Sequence, residues 1–175
     1  MWSEKRFHDP SEPGPHVLTV EGHKVEVYFG PTRKSIARAV DAVEAAEESV
    51  EFAIYSFTEE DLKDAMDSVC SSVDVKGVYD GQQSSDPNSV VQYGWCGRAE
   101  VLASNVKADF GFSKLHHKYI IIDSQGVSPY VITGSTNWSY SAANKNDEVM
   151  MVVYDSDVAS AFASEFAARL DEARK

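Results

Sequence analysis

His116 and Lys118 stand two apart at the head of an apolar run, Tyr119-Ile120-Ile121-Ile122, which closes on Asp123. Gly134-Ser135-Thr136-Asn137 follows, and then Asn146-Asp147-Glu148. A lysine ammonium, a serine hydroxyl and an asparagine amide are donors suited to phosphate oxygens. A neutral imidazole can attack phosphorus or shuttle a proton. A carboxylate can orient an imidazole by accepting its second N–H. His116 as nucleophile, Lys118, Ser135 and Asn137 as phosphate donors and Glu148 as orienting carboxylate therefore make a set able to transfer a phosphoryl group without a metal. A single His before a strand is an ordinary surface residue, and Gly-Ser-x-Asn alone is an ordinary turn. The signal lies in the ordered whole.

Elements must hold these groups in place. His117 to Ile122 reads as a buried strand. Strand side chains alternate between faces, so His116 and Lys118 share one face and His117 takes the other. Asp123 is an odd number of residues from His116. On a regular strand it faces away from the pair and anchors the strand end. Tyr130 to Thr133 reads as a second short strand that breaks at Gly134, after which Ser135 and Asn137 repeat the two-residue spacing. Lys114, just before the strand, is placed for a second phosphate contact. Asp147 to Tyr154 reads as a third strand, opened by Glu148.

Upstream, Lys24 to Phe29 alternates as a half-buried strand, and Thr32 is placed to cap an amphipathic helix over Ser35 to Glu48. Val50 to Phe57 reads as a strand whose aromatics suit core packing. Thr58 is placed to cap the next helix, with Leu62, Ala65, Met66 and Val69 on its apolar stripe. Val73 to Tyr79 reads as a strand, Gln82 to Asn88 as a surface loop and Ser89 to Gly94 as a short helix. Arg98 to Ala103 reads as a strand, Asn105 to Ser113 as a loop and Trp138 to Ala143 as a short helix. A last helix, capped by Ser156 or Asp157, runs to about Arg174. Strands alternating with helices predict an α/β fold, a mixed β-sheet sandwiched between helices. Residues 1–23 have no period and read as an irregular N-terminal arm, of a kind that fits a domain cut from something longer. Residues 24–175 read as the domain.

The block His116-x-Lys118-x-x-x-x-Asp123, followed by Gly134-Ser135-x-Asn137 and Glu148, resembles the HxKxxxxD signature of the phospholipase D superfamily. The strand Val25 to Phe29, the helix after it and Val50 to Thr58 are similar to the family's first elements, and Tyr55-Ser56-Phe57 would border its site. The resemblance implies a phospholipase D-like fold and a catalytic set of His116, Lys118, Asp123 and Glu148, with phosphate held by Lys118, Ser135 and Asn137. It implies a phosphohistidine intermediate and no cofactor or metal. The family uses two motifs per active site, and this chain has one and no internal repeat. Single-motif members resemble small bacterial endonucleases that pair two identical chains. A homodimer cleaving DNA or RNA is therefore expected, with phospholipid as the alternative substrate and a catalytically silent scaffold as a third reading.

Length and composition bound these expectations. The 175 residues suit one domain, and 43% hydrophobic content argues for a globular fold. Net charge is −12, which counts against a broad nucleic-acid-binding surface but leaves room for a narrow site built from local donors. No apolar run is long enough to span a bilayer. The first residues lack the apolar core of a signal peptide, so a cytoplasmic protein and a processed secreted one both remain open. Two cysteines, Cys70 and Cys96, fit either one bridge or two free thiols.

Overall fold

The computed structural model describes residues 14–96, 99–104 and 114–175. In chain order the strands are β1 (His16–Val20), β2 (His23–Phe29), β3 (Ser49–Ile54), β4 (Asp74–Tyr79), β5 (Glu100–Ala103), β6 (Lys118–Ile122), β7 (Tyr130–Gly134) and β8 (Val149–Val153). The helices are α1 (Arg33–Glu44), α2 (Glu60–Val69), α3 (Tyr140–Asn144) and α4 (Ser156–Ala173). The strands form one mixed sheet in the order β1-β2-β8-β7-β6-β3-β4-β5. β3–β4 and β4–β5 are parallel, and the other neighbours are antiparallel.

Period-two alternation divides the core between the two faces. Val50, Phe52 and Ile54 of β3, with Ile120 and Ile122 of β6, pack with Ile36, Val43, Leu62 and Met66 of α1 and α2. Ala53, Tyr119 and Ile121 point the other way and pack with Ala159, Phe166 and Leu170 of α4. Each large side chain fully buried in these layers contributes roughly 1.5–3 kcal/mol, so the central strands β3 and β6 are a rigid base for whatever their ends carry. The α/β architecture expected from the alternation is the one observed.

Several boundaries differ from expectation for physical reasons. Residues 16–20 are not irregular. They pair with β2 through a two-residue Glu21-Gly22 turn in which both residues have positive φ, +50° and +91°. That is the turn geometry whose twist matches a hairpin. Every residue of β1 is exposed, so no burial pattern marks it in the sequence. Thr58 does not cap α2. Glu59 takes the N-cap position without a side-chain capping bond, because its buried carboxylate binds Arg33 at 3.0 Å. The first helix is capped by Thr32 as expected but ends at Glu44, not Glu48. The last helix is capped by Asp155, whose carboxylate accepts from the N–H groups of Asp157 and Val158. Gln83–Ser85 and Val90–Gln92 are single 3₁₀ turns where one loop and one short helix were expected. Cys70 and Cys96 are joined as a disulfide with Cα atoms 6.4 Å apart. The expectations for residues 1–13, for Arg98 and for the Asn105 to Ser113 loop fall outside the described residues.

Candidate active site

Strand register brings the chemically interesting residues to one end of the sheet. Ile54 pairs with Lys118, Tyr119 with Thr133, and Gly134 with Met150. The end of β3, the start of β6, the end of β7 and the start of β8 thus lie in a row.

Tyr55, the residue after β3, is the hub of this row. Its ring centroid lies 4.7 Å from that of His116. The ammonium groups of Lys118 and Lys114 lie 5.2 and 5.3 Å from the same ring. The negative face of an aromatic ring attracts cations, which offsets some of the repulsion between two lysines gathered at one point. The Tyr55 hydroxyl accepts a 3.1 Å hydrogen bond from Gln83 Nε2. Lys118 is buried, and its Nζ donates to the His116 carbonyl at 3.0 Å. His116 and Lys118 thus lie together on one side, as their two-residue spacing implies, and Lys114, from the segment before β6, joins them at Tyr55. Of the two expectations for Tyr55, core packing and a place bordering the site, the second is the one observed: it is half-buried and walls the imidazole, while Phe57 packs in the core.

The surroundings favour the neutral form of His116. Partial burial comes first, then the charges of Lys118 and Lys114, and together they hold its pKa below the ordinary 6.5. Burial and the neighbouring Lys114 also lower the Lys118 pKa, while Glu148 opposes them. An unprotonated imidazole beside two cations is what attack on a phosphate anion requires.

Asp80 directly follows β4. It is buried, and its Oδ2 accepts from the Leu115 N–H at 2.8 Å while Oδ1 accepts from Gln82 and Gln83 at 3.1 and 3.0 Å. One carboxylate thus ties the segment before His116 to the turn that carries Gln83. An Asp-Gly pair after a strand is the sequence signal, and it is indistinguishable from an ordinary turn.

The Gly134-Ser135 turn is shaped by close approach. Gly134 has φ of +145°, and a Cβ there would meet the Val149 carbonyl oxygen at 2.0 Å. Ser135 N–H donates to that carbonyl at 2.8 Å, and Val149 N–H donates to Ser135 Oγ at 3.0 Å. The Ser135 hydroxyl donates to Glu148, whose other oxygen accepts from Asn146 Nδ2 at 3.2 Å. Ser135 and Glu148 were assigned separate tasks in the sequence, as phosphate donor and imidazole orienter. In the structure they are partners. Asn137 is fixed from the residue after it. The buried Trp138 packs edge-on against Phe57 at 4.8 Å and Phe52 at 5.4 Å, and its carbonyl accepts from Thr58 N–H at 2.7 Å.

Asp123 and His117 lie elsewhere. Asp123 ends β6, about 17 Å of strand beyond Lys118. Its carboxylate accepts from the backbone N–H groups of Glu47, Glu48 and Ser49, at 2.7 Å for Glu48. This corrects its inclusion in a catalytic set: the geometry gives it the structural task of anchoring the strand end. His117 faces α4, with Nε2 3.3 Å from Glu165 and its ring edge-on to Tyr119.

The family whose model is described as "Cardiolipin synthase, PLD-like domain" matches residues 39–170, most of the chain and the whole of this site. The chain belongs to this family, within the phospholipase D superfamily. NucT from Helicobacter pylori superposes with a TM-score of 0.76 and 28% identity, over 86% of this chain and 97% of that one. Nuc from Salmonella typhimurium, a phospholipase D family member, superposes with a TM-score of 0.72 and 26% identity, over 85% and 94%. A mitochondrial cardiolipin hydrolase of Chlamydomonas reinhardtii is 24% identical over 139 residues, 79% of this chain and 58% of the relative. The chain spans about half to three-fifths of the length of the curated relatives it matches. The family resemblance read from His116, Lys118 and the downstream block thus holds for fold and family together.

Proposed function

We propose that this chain is a phosphodiesterase of the endonuclease kind, cutting DNA or RNA through a phosphohistidine in a site shared by two copies. The observation that carries the reading is the gathering of one neutral imidazole and two ammonium groups around Tyr55. That is half of what a two-step phosphoryl transfer needs. His116 of one copy attacks phosphorus and forms a P–N bond while the P–O bond to the leaving group breaks. The second copy's His116, protonated, gives its proton to the leaving oxygen. It then takes a proton from water, whose oxygen attacks phosphorus and breaks the P–N bond. Lys118, Lys114 and Asn137 hold the phosphate oxygens, and the Ser135–Glu148 pair sets the turn beside them. The charge is supplied by side chains, so the reaction is expected to run in EDTA. The near-complete coverage of NucT and Nuc supports a unit of this size.

A second reading is favoured by the names of the family model and of the curated relatives, which point to cardiolipin. The same half-site would serve a phospholipid phosphodiester. One experiment separates the two. Labelled single-stranded DNA and cardiolipin vesicles are each incubated in EDTA with the native chain and with His116→Ala, and the oligomeric state is measured by sedimentation. Cleavage of DNA by the native dimer alone supports the nuclease. Cleavage of cardiolipin alone moves the assignment to the lipid enzyme. A fully active monomer removes the shared site, and activity restored only by added metal removes the side-chain mechanism.

A further inference from the structure

Beside the half-site runs a groove of about 580 Å³, lined among others by Tyr55, Gln83, Asp86, Asn88, Asn137 and Tyr140. Its volume lies in the range that holds small organic ligands. Tyr55 is common to both places, walling His116 and lining the groove. Whatever fills the groove is therefore adjacent to the reacting phosphate.

The chemistry of the lining differs from that of the half-site. The cations near Tyr55, Lys114 and Lys118, do not line the groove, which carries neutral amides and hydroxyls and the Asp86 carboxylate instead. Asp86 contributes a carboxylate whose Oδ1 already accepts from Asn88, from N–H at 2.8 Å and from Nδ2 at 3.0 Å. A second phosphate would be repelled by Asp86. An acyl chain would cover the polar groups of Gln83, Asp86, Asn88 and Asn146 without pairing them, which is unfavourable. At the rim Tyr140 is 61% exposed, a ring of this size left open to solvent at the start of α3. The Lys145 ammonium lies 5.5 Å from its centroid. A flat ring that carries N–H donors satisfies these features together. It can stack on Tyr140 and donate to Asp86, with the Lys145 ammonium close by to attract a phosphate of the same strand.

We propose that this groove is a base-binding subsite for the unpaired nucleotide flanking the scissile phosphate, with Tyr140 as stacking platform and the Asp86 carboxylate as acceptor. The proposal rests on the nucleic-acid reading above and adds a specificity to it. Cytosine, adenine and guanine carry an exocyclic amino group with two N–H bonds, whereas thymine and uracil offer a single ring N–H. The groove should therefore prefer an amino-bearing base.

The test compares kcat/KM for oligo-dC, oligo-dT and bis(p-nitrophenyl) phosphate, which has no base. The native chain should favour oligo-dC over oligo-dT several-fold. Tyr140→Ala should lower the ratio of oligo-dC to bis(p-nitrophenyl) phosphate about tenfold, mainly through KM, as expected for one lost stacking contact. Tyr140→Phe keeps the ring and should restore that ratio. Asp86→Asn should reduce the preference for dC independently of Tyr140. An unchanged ratio in Tyr140→Ala overturns the subsite, as does equal damage from Tyr140→Phe. No dC preference in the native chain removes the acceptor assignment. If the native chain hydrolyses bis(p-nitrophenyl) phosphate or cardiolipin but no oligonucleotide, the nucleic-acid reading itself fails and the subsite falls with it.

Discussion

His116 and His117 are neighbours in the chain and lie on opposite faces of the sheet. The His116 ring packs 4.7 Å from Tyr55, and the His117 Nε2 lies 3.3 Å from Glu165 on α4. Their substitutions should therefore separate cleanly. His116→Ala removes a nucleophile whose ring is only partly covered, on the side that meets Tyr55, and should lower kcat by ~10³-fold or more with little change in melting temperature. His117→Ala loses a half-exposed contact with Glu165 and an edge-on ring contact, and should cost about 1 kcal/mol of stability while activity stays within a few-fold. Steady-state kinetics and thermal melts on both variants check this. Equal loss of activity would contradict the division of faces.

The pH dependence follows from the causes of the His116 shift. Burial acts first, and Lys118 and Lys114 add to it, so the imidazole is neutral down to a pH below its ordinary 6.5. Protonation destroys the nucleophile. The acid limb of kcat/KM should accordingly fall below pH 6.5. Lys114→Gln removes one of the two charges and should move that limb upward, toward 6.5, whatever it does to the absolute rate. A native limb at or above 6.5, or a limb that moves down in the variant, would be incompatible with these charges acting on His116.

Parity along one strand made much of this legible before any coordinates. Alternation from His116 to Ile122 separates the two histidines, as in the structure, whereas Asp123 is kept from the site by its place past the far end of β6, where its φ of +51° breaks the alternation. Long-range partners were not legible. Tyr55 reads from its own residues as a core-like aromatic and borders the site only by the family resemblance; the pairing of Ile54 with Lys118 is what brings it against His116. Asp80 and Gln83 belong to a turn with no period, and their bonds to Leu115 and Tyr55 span 35 and 28 residues. β1 was missed because an exposed edge strand buries nothing, so the usual signal of alternating hydrophobicity has no cause there. Thr58 lost the cap because Glu59 is held by Arg33, 26 residues away.

Asp123 supplies a test of the motif itself. Its carboxylate gathers three successive backbone N–H groups at the start of β3. Leaving such donors unpaired costs roughly 1–3 kcal/mol. Its φ is +51°, a conformation that Asn tolerates and Ala resists. Asp123→Asn should therefore destabilise by about 1 kcal/mol and Asp123→Ala by about 2 kcal/mol or more. Both should retain native kcat at a temperature where they remain folded. Denaturant melts paired with kinetics decide it. A fall in kcat of a hundredfold in a fully folded Asp123→Asn protein would return this residue to the chemistry.

Glu26 on β2 should govern stability in acid. It is buried, which by itself raises a carboxyl pKa, yet four donors surround it: Lys24 Nζ at 2.7 Å, the Tyr154 hydroxyl at 2.8 Å, and Arg38 Nε and the Tyr28 hydroxyl at 3.1 Å each. Those bonds favour the charged form and prevail over burial, bringing the pKa from 4.5 down to about 2. A depressed folded-state value means that the folded chain binds this proton less readily than the unfolded one. The stabilisation is therefore complete above about pH 5 and is lost as pH falls from there toward 2. Its size is on the order of 3 kcal/mol. Glu26→Gln cannot titrate. It should be less stable than the native chain at pH 7 by that order, and the gap should close as pH falls through 4 and 3. Urea melts across this range measure the gap directly. Two parallel stability curves would show that Glu26 titrates alike in both states and that the four donors do no more for it than water does.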